Sequence, residues 1–234
     1  MRLNAFLARA GVASRRGADV LIQAGRVSVN GAPAQIGMML HADDVVMLDE
    51  RVLQLENYAY VLLNKPGGTI TTASDPQGRP TVTELVERPE RLFPVGRLDA
   101  DTTGAILLTN DGELAHRLAH PSFGVEKTYL ATVAGVPDAR ALSMLTSGVE
   151  LDDGVTAPAQ VRVVRQRLGE SVVELVLHEG RKHQVKRMLA AVGHEVKRLE
   201  RARYAMLTVK GLAPAEWREL TPAEVDQLRR ITTR

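Results

Sequence analysis

The 234 residues contain no cysteine. Disulfides, zinc–thiolate sites, iron–sulfur clusters and cysteine nucleophiles are therefore excluded. Aromatic residues are scarce at 3%, so the core has to be built from Leu, Val, Ile, Ala and Met. Long apolar runs are missing too. The longest, near Tyr58 to Leu63, is about six residues, against the roughly 20 that span a bilayer. Arg9 interrupts the opening MRLNAFLARAG before a signal-peptide core can form. No membrane partner is expected, and the expected location is the cytoplasm.

Net charge is small, +2, but it is unevenly placed. Residues 1–31 hold five arginines (Arg2, Arg9, Arg15, Arg16, Arg26) against Asp19 alone. Residues 181–203 hold Arg181, Lys182, Lys186, Arg187, Lys197, Arg198, Arg201 and Arg203 against Glu195 and Glu200. Two basic segments in a nearly neutral chain point to two contacts with a polyanion. A pair of solvated faces is the plainer alternative.

Leu3, Phe6, Leu7 and Ala10 recur at helical spacing before Gly11, and Ser14 can cap a second helix running to Ala24. Arg26–Val29 alternates like a strand, Asn30-Gly31 is a tight-turn signal, and 44–48 is a further strand. Residues 1–56 thus read as a helix–helix–hairpin domain, with the boundary in the polar stretch 49–57. In the second domain, 57–234, strands are expected at 58–63, 105–109, 127–133, 160–164, 172–178 and 197–209. Helices are expected at 81–87, 112–119, 138–146 and 183–192. Thr221-Pro222-Ala223-Glu224 is a capping box that opens a last helix. Strands and helices do not alternate regularly, so the fold class is α+β: a mainly antiparallel mixed sheet flanked by helices. No heptad or continuous apolar face argues for an oligomer, and a monomer is expected.

The stretch GRLDADTTG, residues 96–104, supports three readings. It mimics the start of a calcium loop, but Asn110 replaces the bidentate Glu and an apolar run intervenes. It can be a polar turn with Gly104 at positive φ. It can also be a reaction site. In an extended segment Asp99 and Asp101 share a face, as a carboxylate pair would. Arg97 also shares the face of Asp99, where a guanidinium would keep the carboxylate ionised for nucleophilic work. His116 and His120 in HRLAH lack the glutamate of a zinc protease. No metal or cofactor motif is convincing, and none is expected.

GRLDADTTGAILLTNDG resembles the catalytic signature of the RsuA family of RNA pseudouridine synthases. LNKPGG (63–68), EKTY (126–129), EGRKHQVKRM (179–188) and VKRLERARY resemble further motifs of that family in the right order. The N-terminal unit resembles the S4 RNA-binding domain. The resemblance implies an isomerase that detaches uracil from C1′ through N1 and reattaches it through C5, without a cofactor. It makes Asp99 the nucleophile, Tyr129 a ring lying against the uracil, Lys186 the partner of the aspartate and Arg97 a hold on the flipped nucleotide. Leu199 packs under the base. RNA contacts are expected from Arg15, Arg16, Arg26 and Lys65, and cations for the flanking phosphates from Arg181, Lys182, Arg187, Arg198, Arg201 and Arg203. The expected partner is ribosomal RNA or a subunit assembly intermediate. HQVKRMLAAVG and the WRELTPAEV tail resemble the small-subunit (16S) branch, with large-subunit (23S) RNA the alternative. A non-catalytic ribosome-assembly protein and a glycosidase using both aspartates are the rival readings. One departure stands out: Ala205 follows RARY where the family usually has glycine.

Overall fold

The computed structural model describes residues 1–233. The chain divides into two compact units. One is Met1–Ala59 with Arg88–Arg91 and Asn110–Gly112, and the other is the remainder. No helix among the described residues is long and apolar enough to cross a membrane.

The first unit contains α1 (Leu3–Arg9), α2 (Arg15–Gln23), β1 (Val27–Val29), β2 (Ala32–Pro33), β3 (Val46–Leu48) and β4 (Arg51–Val52), with sheet order β2-β1-β3-β4. The Ser14 side chain accepts from Gly17 N at 3.1 Å and starts α2. Asn30 and Gly31 both have positive φ, 52° and 80°, as a two-residue hairpin turn requires. The Asn30 side chain also accepts from Val45 N at 2.9 Å, tying the turn to the strand region that follows. Leu3, Leu7, Ala18, Ile22, Val27 and Val46 close a small core.

The second unit is built on a nine-stranded sheet. Its strands are β5 (Tyr60–Lys65), β6 (Phe93–Pro94), β7 (Thr103–Thr109), β8 (Lys127–Ala134), β9 (Gln160–Arg167), β10 (Glu170–Leu177), β11 (Val196–Tyr204), β12 (Leu207–Thr208) and β13 (Trp217–Glu219). The order is β13-β5-β7-β11-β8-β10-β9, with β6 beside β7 and β12 beside β11. Every pairing is antiparallel except β7 with β11. That parallel junction has only two registered pairs, Thr103 with Glu200 and Gly104 with Arg201. It joins two half-sheets, each with its own core. One packs against α3 (Gly112–Ala119) and α6 (Pro222–Ile231), and the other against α4 (Ala139–Ser147) and α5 (Gln184–Ala191). The capping box of α6 forms as expected.

Gly104 explains the last glycine of GRLDADTTG. Its φ is 101°, and a Cβ there would lie 2.4 Å from the Arg201 carbonyl oxygen. Only glycine lets the two half-sheets meet at this point. The helix expected at 81–87 does not form. Thr81 bridges to Ile70, and Glu84 accepts from Thr81 N at 3.0 Å, but the chain leaves helical geometry within one turn. The segment lies between Pro80 and Pro89 and carries four β-branched residues, a short stretch that cannot repay helix nucleation.

Candidate active site

The 96–104 stretch is an anchored turn. Thr102 N donates to Asp99 O at 3.1 Å, and Gly68 N donates to Ala100 O at 2.8 Å. The Thr71 hydroxyl donates to Leu98 O and accepts from Leu98 N, at 2.8 and 3.2 Å. Beneath the turn sits Lys65, the last residue of β5, with no exposed surface. Its ammonium donates to Pro66 O (3.1 Å), Ala100 O (3.0 Å) and Thr102 O (2.9 Å). Burial pushes this lysine down to about 8, a shift opposed by the charges of Asp101 and Asp99. Lys65 was expected to bind the RNA substrate; instead it is an internal strut of the aspartate turn, buried away from any RNA.

The facing wall is the entry to α5. His183 precedes the helix in a left-handed conformation, φ 52°, and its Nε2 lies 3.4 Å from Asp99 Oδ1. Lys186 Nζ lies 3.7 Å from Asp99 Oδ2 and only 2.7 Å from both oxygens of Asp101. The lysine thus bridges the two carboxylates and binds Asp101 more closely. Its hydrogen bond holds the Asp101 carboxyl below the usual carboxylate range. The basic side chains beside Asp99 are therefore His183, which the sequence reading missed, and Lys186. Arg97 is not one of them: it is exposed on the cavity rim, contrary to the expected pairing.

Between these walls lies a cavity of about 430 Å³, lined among others by Arg97, Asp99, Thr102, Tyr129, Leu177, His183 and Leu199. Such a volume suits a small planar ligand with part of its sugar. Tyr129 pairs with Arg201 across β8 and β11, two positions from the Leu199 pair, so all three side chains point to one face. Lys127, Arg201 and Tyr204 also line the cavity and are buried. The Lys127 ammonium and the Arg201 guanidinium lie 5.9 and 4.9 Å from the Tyr204 ring centre. Arg201 Nε donates to Ala105 O at 2.7 Å, across the junction of the half-sheets. Its Nη2, like Thr102 Oγ1, is buried with no partner among the described residues. Lys127 donates to Val125 O at 2.7 Å and is pushed down to about 8 by burial, then by Arg201. Burial also pushes the Tyr204 phenol up to about 12. Arg201 was expected to bind phosphate at the surface; it is a buried cation beside the cavity.

Comparison with known proteins gives this arrangement its chemistry. Residues 59–191 match the RNA pseudouridylate synthase family, and residues 1–46 match the S4 domain. The chain belongs to the RNA pseudouridylate synthase family. Ribosomal large subunit pseudouridine synthase B of Bacillus subtilis (strain 168) is 44% identical over 234 residues, covering 98% of this chain and 96% of its own. The protein of the same name from Yersinia pestis is 40% identical over 243 residues, covering 98% and 76%. A crystal structure described as a pseudouridylate synthase superposes with a TM-score of 0.71 at 33% identity, covering 97% of this chain and 99% of that one. The chain is thus an RNA pseudouridine synthase, an isomerase with an N-terminal RNA-binding S4 domain.

The other expected RNA contacts of this synthase divide into engaged and open ones. Arg181 donates to Gly154 O (2.8 Å) and Val155 O (2.6 Å), and Arg187 is paired with Asp152 and Asp153. Both clamp the 152–155 loop rather than presenting free charge. Arg26 is paired with Asp49. Arg15 reaches Asn4 at 3.3 Å and stays exposed, as does Arg16. Lys182, Arg198 and Arg203 are exposed in the second unit. Ala205 takes the left-handed conformation, φ 52°, that a glycine would adopt freely.

Proposed function

We propose that this synthase converts a specific uridine of 23S ribosomal RNA to pseudouridine, with Asp99 as nucleophile. One observation carries the chemistry: Asp99 lines a cavity beside two basic side chains, His183 and Lys186, and Tyr129 and Leu199 line the same cavity. The target nucleotide must leave its stack to reach such a cavity. Leu199 then supports one face of the uracil and Tyr129 lies against the other. The aspartate takes up the sugar carbon as the C1′–N1 bond breaks. The base turns, and C5 bonds to C1′ as the aspartate–C1′ bond breaks and frees the carboxylate; the C5 proton is lost and N1 gains a proton, so atoms and charge balance without a donor or an oxidant. Lys186 and His183 hold the carboxylate in place, and Arg97 on the rim faces the flanking phosphate.

The 16S target favoured by the tail motifs gives way here to 23S, because full-length relatives bearing the large-subunit name support that branch. The test is tritium release from C5-labelled transcripts of each rRNA, with native protein and Asp99→Asn. Release from the 23S transcript alone, lost in the variant, is expected. Release from 16S RNA only would reverse the target. Undiminished release by Asp99→Asn would remove the nucleophile assignment.

A further inference from the structure

The half-sheet of β9, β10, β8 and β11 buries only one face. Ala131, Val133, Val173 and Leu175 point into the core with Val185, Met188 and Leu189 of α5. The alternating residues point the other way and stay partly open. On that second face, register aligns Arg165, Val172, Thr132 and Arg198 in one row across four strands. The row has an arginine at each end, an apolar and hydroxyl floor, and no carboxylate. The next row, Arg162, Glu174, Leu130 and Glu200, carries one arginine against two glutamates, with Arg162 bonded to Glu174 at 2.6 Å.

Two β-bulges sit at the ends of the arginine row. Val164 is the extra residue between the pairs Arg165–Val172 and Val163–Val173, and Lys197 is the extra residue between Val196 and Arg198. A bulge bends its strand and redirects a side chain. These two bring Val164 beside Arg165 and Lys197 beside Arg198 along one open concavity of about 540 Å³. A smaller hollow of about 90 Å³ continues it to Arg167 and Glu170. Glu170 lines this smaller hollow and lies 3.7 and 3.8 Å from Lys197 and Arg198, while Glu200 and Asp101 are the carboxylates lining the larger concavity. The other end of the concavity is the Lys186–Asp101 pair, whose lysine also faces Asp99.

We infer that this bulge-flanked groove binds a nucleotide adjacent to the target uridine, its base on the Val172–Thr132–Leu130 floor and its phosphates on Arg165 and Arg198. The inference rests on the reading of a uridine in RNA as substrate. An unstacked base needs an apolar or guanidinium surface to lie on, and its phosphates need cations. The groove supplies both and starts where the catalytic cavity ends. A bent, RNA-filled path from Asp99 across the second face follows. The basic residues of β9, Arg165 and Arg167, then form a third RNA contact beside the two basic segments evident in the sequence.

The test is binding of a fluorescein-labelled short oligouridylate by anisotropy over a range of salt concentrations. Arg165→Glu is compared with Arg140→Glu, an equal charge change at an exposed position on α4, which packs on the opposite face. Arg165→Glu is expected to weaken binding about tenfold and to lower the salt dependence by about one phosphate contact; Arg140→Glu should stay within about twofold of native. In the tritium assay Arg165→Glu should raise KM and leave kcat at saturating RNA unchanged. A 4-thiouridine-substituted oligomer should photo-crosslink to peptides of β9 and β11. Equal effects of the two reversals, or crosslinks absent from both strands, overturn the groove. If native protein released no tritium but the binding difference persisted, the isomerase reading would fail and the groove would stand.

Discussion

Lys65 gives the sharpest test of how the site is held. Replacing it with methionine keeps the volume but removes the ammonium. Two terms oppose each other. Burying the charge lowers the lysine from 10.5 to about 8, a penalty of about 3 kcal/mol at neutral pH that Lys65→Met relieves. Against this, three charge-assisted hydrogen bonds disappear, each contributing roughly 1.5–3 kcal/mol, and three carbonyls lose their donor. The bonds outweigh the relief, so the variant should be less stable by about 3 kcal/mol. Urea unfolding can be followed by Trp217, the only tryptophan, which pairs with Leu63 two residues from Lys65. A fall in Tm of about 6–12 °C should accompany it. Activity should fall further than stability explains, because two of the lost acceptors, Ala100 O and Thr102 O, fix the turn that aims Asp99. Unchanged or raised stability would refute the strut. Lost stability with full activity in the remaining folded protein would refute its link to the catalytic turn.

Gly104→Ala should cost more than about 3 kcal/mol, since left-handed strain adds to a backbone clash at the parallel β7–β11 pairing; a loss below about 1 kcal/mol in denaturant titration would contradict this. Ala205→Gly should stabilise by about 0.5–1 kcal/mol, the relief of positive φ less the added freedom of the unfolded chain; lower stability in the same titration would show that the alanine methyl packs usefully. Lys127→Met should match or exceed native stability at pH 7, because a buried charge costing about 3 kcal/mol disappears for one lost bond to Val125 O. Between pH 8 and 10.5 the folded native lysine has shed a proton that the unfolded chain keeps, so native stability rises relative to the variant. Unfolding measured at pH 7 and pH 10 should show the variant's relative advantage shrinking, and an advantage that grows would reverse the assignment. Asp101→Asn should reduce tritium release much less than Asp99→Asn, because Asp101 steers Lys186 without lining the catalytic cavity; equal losses would favour a two-carboxylate mechanism.

Local structure was legible where a residue acts on its neighbours. Ser14, Asn30-Gly31 and Thr221–Glu224 each perform the cap or turn their type predicts. Position relative to the sheet was harder. Lys65 and Arg201 look like surface cations in a list of charges, yet each ends or continues a strand whose same-face neighbours are apolar. Val61 and Leu63 share the face of Lys65, and Leu199 that of Arg201; all three apolar neighbours are buried. Alternation counted from those residues places both charges inside. The junction of β7 with β11 could not be counted in this way, because it pairs residues nearly a hundred positions apart over two registers only. His183 depended on it as well. Nothing local in GRKHQ distinguishes a histidine facing Asp99 from one facing solvent until the half-sheets are joined and α5 is set opposite the aspartate turn. The carboxylate proposed as nucleophile was therefore readable from its motif, whereas the basic groups lining its cavity were placed by long-range packing. Lys127 and Arg201, buried beside the cavity, and His183, left-handed in backbone beside Asp99, are where substitutions should separate stability from catalysis, since the fold holds each of them at a cost in stability.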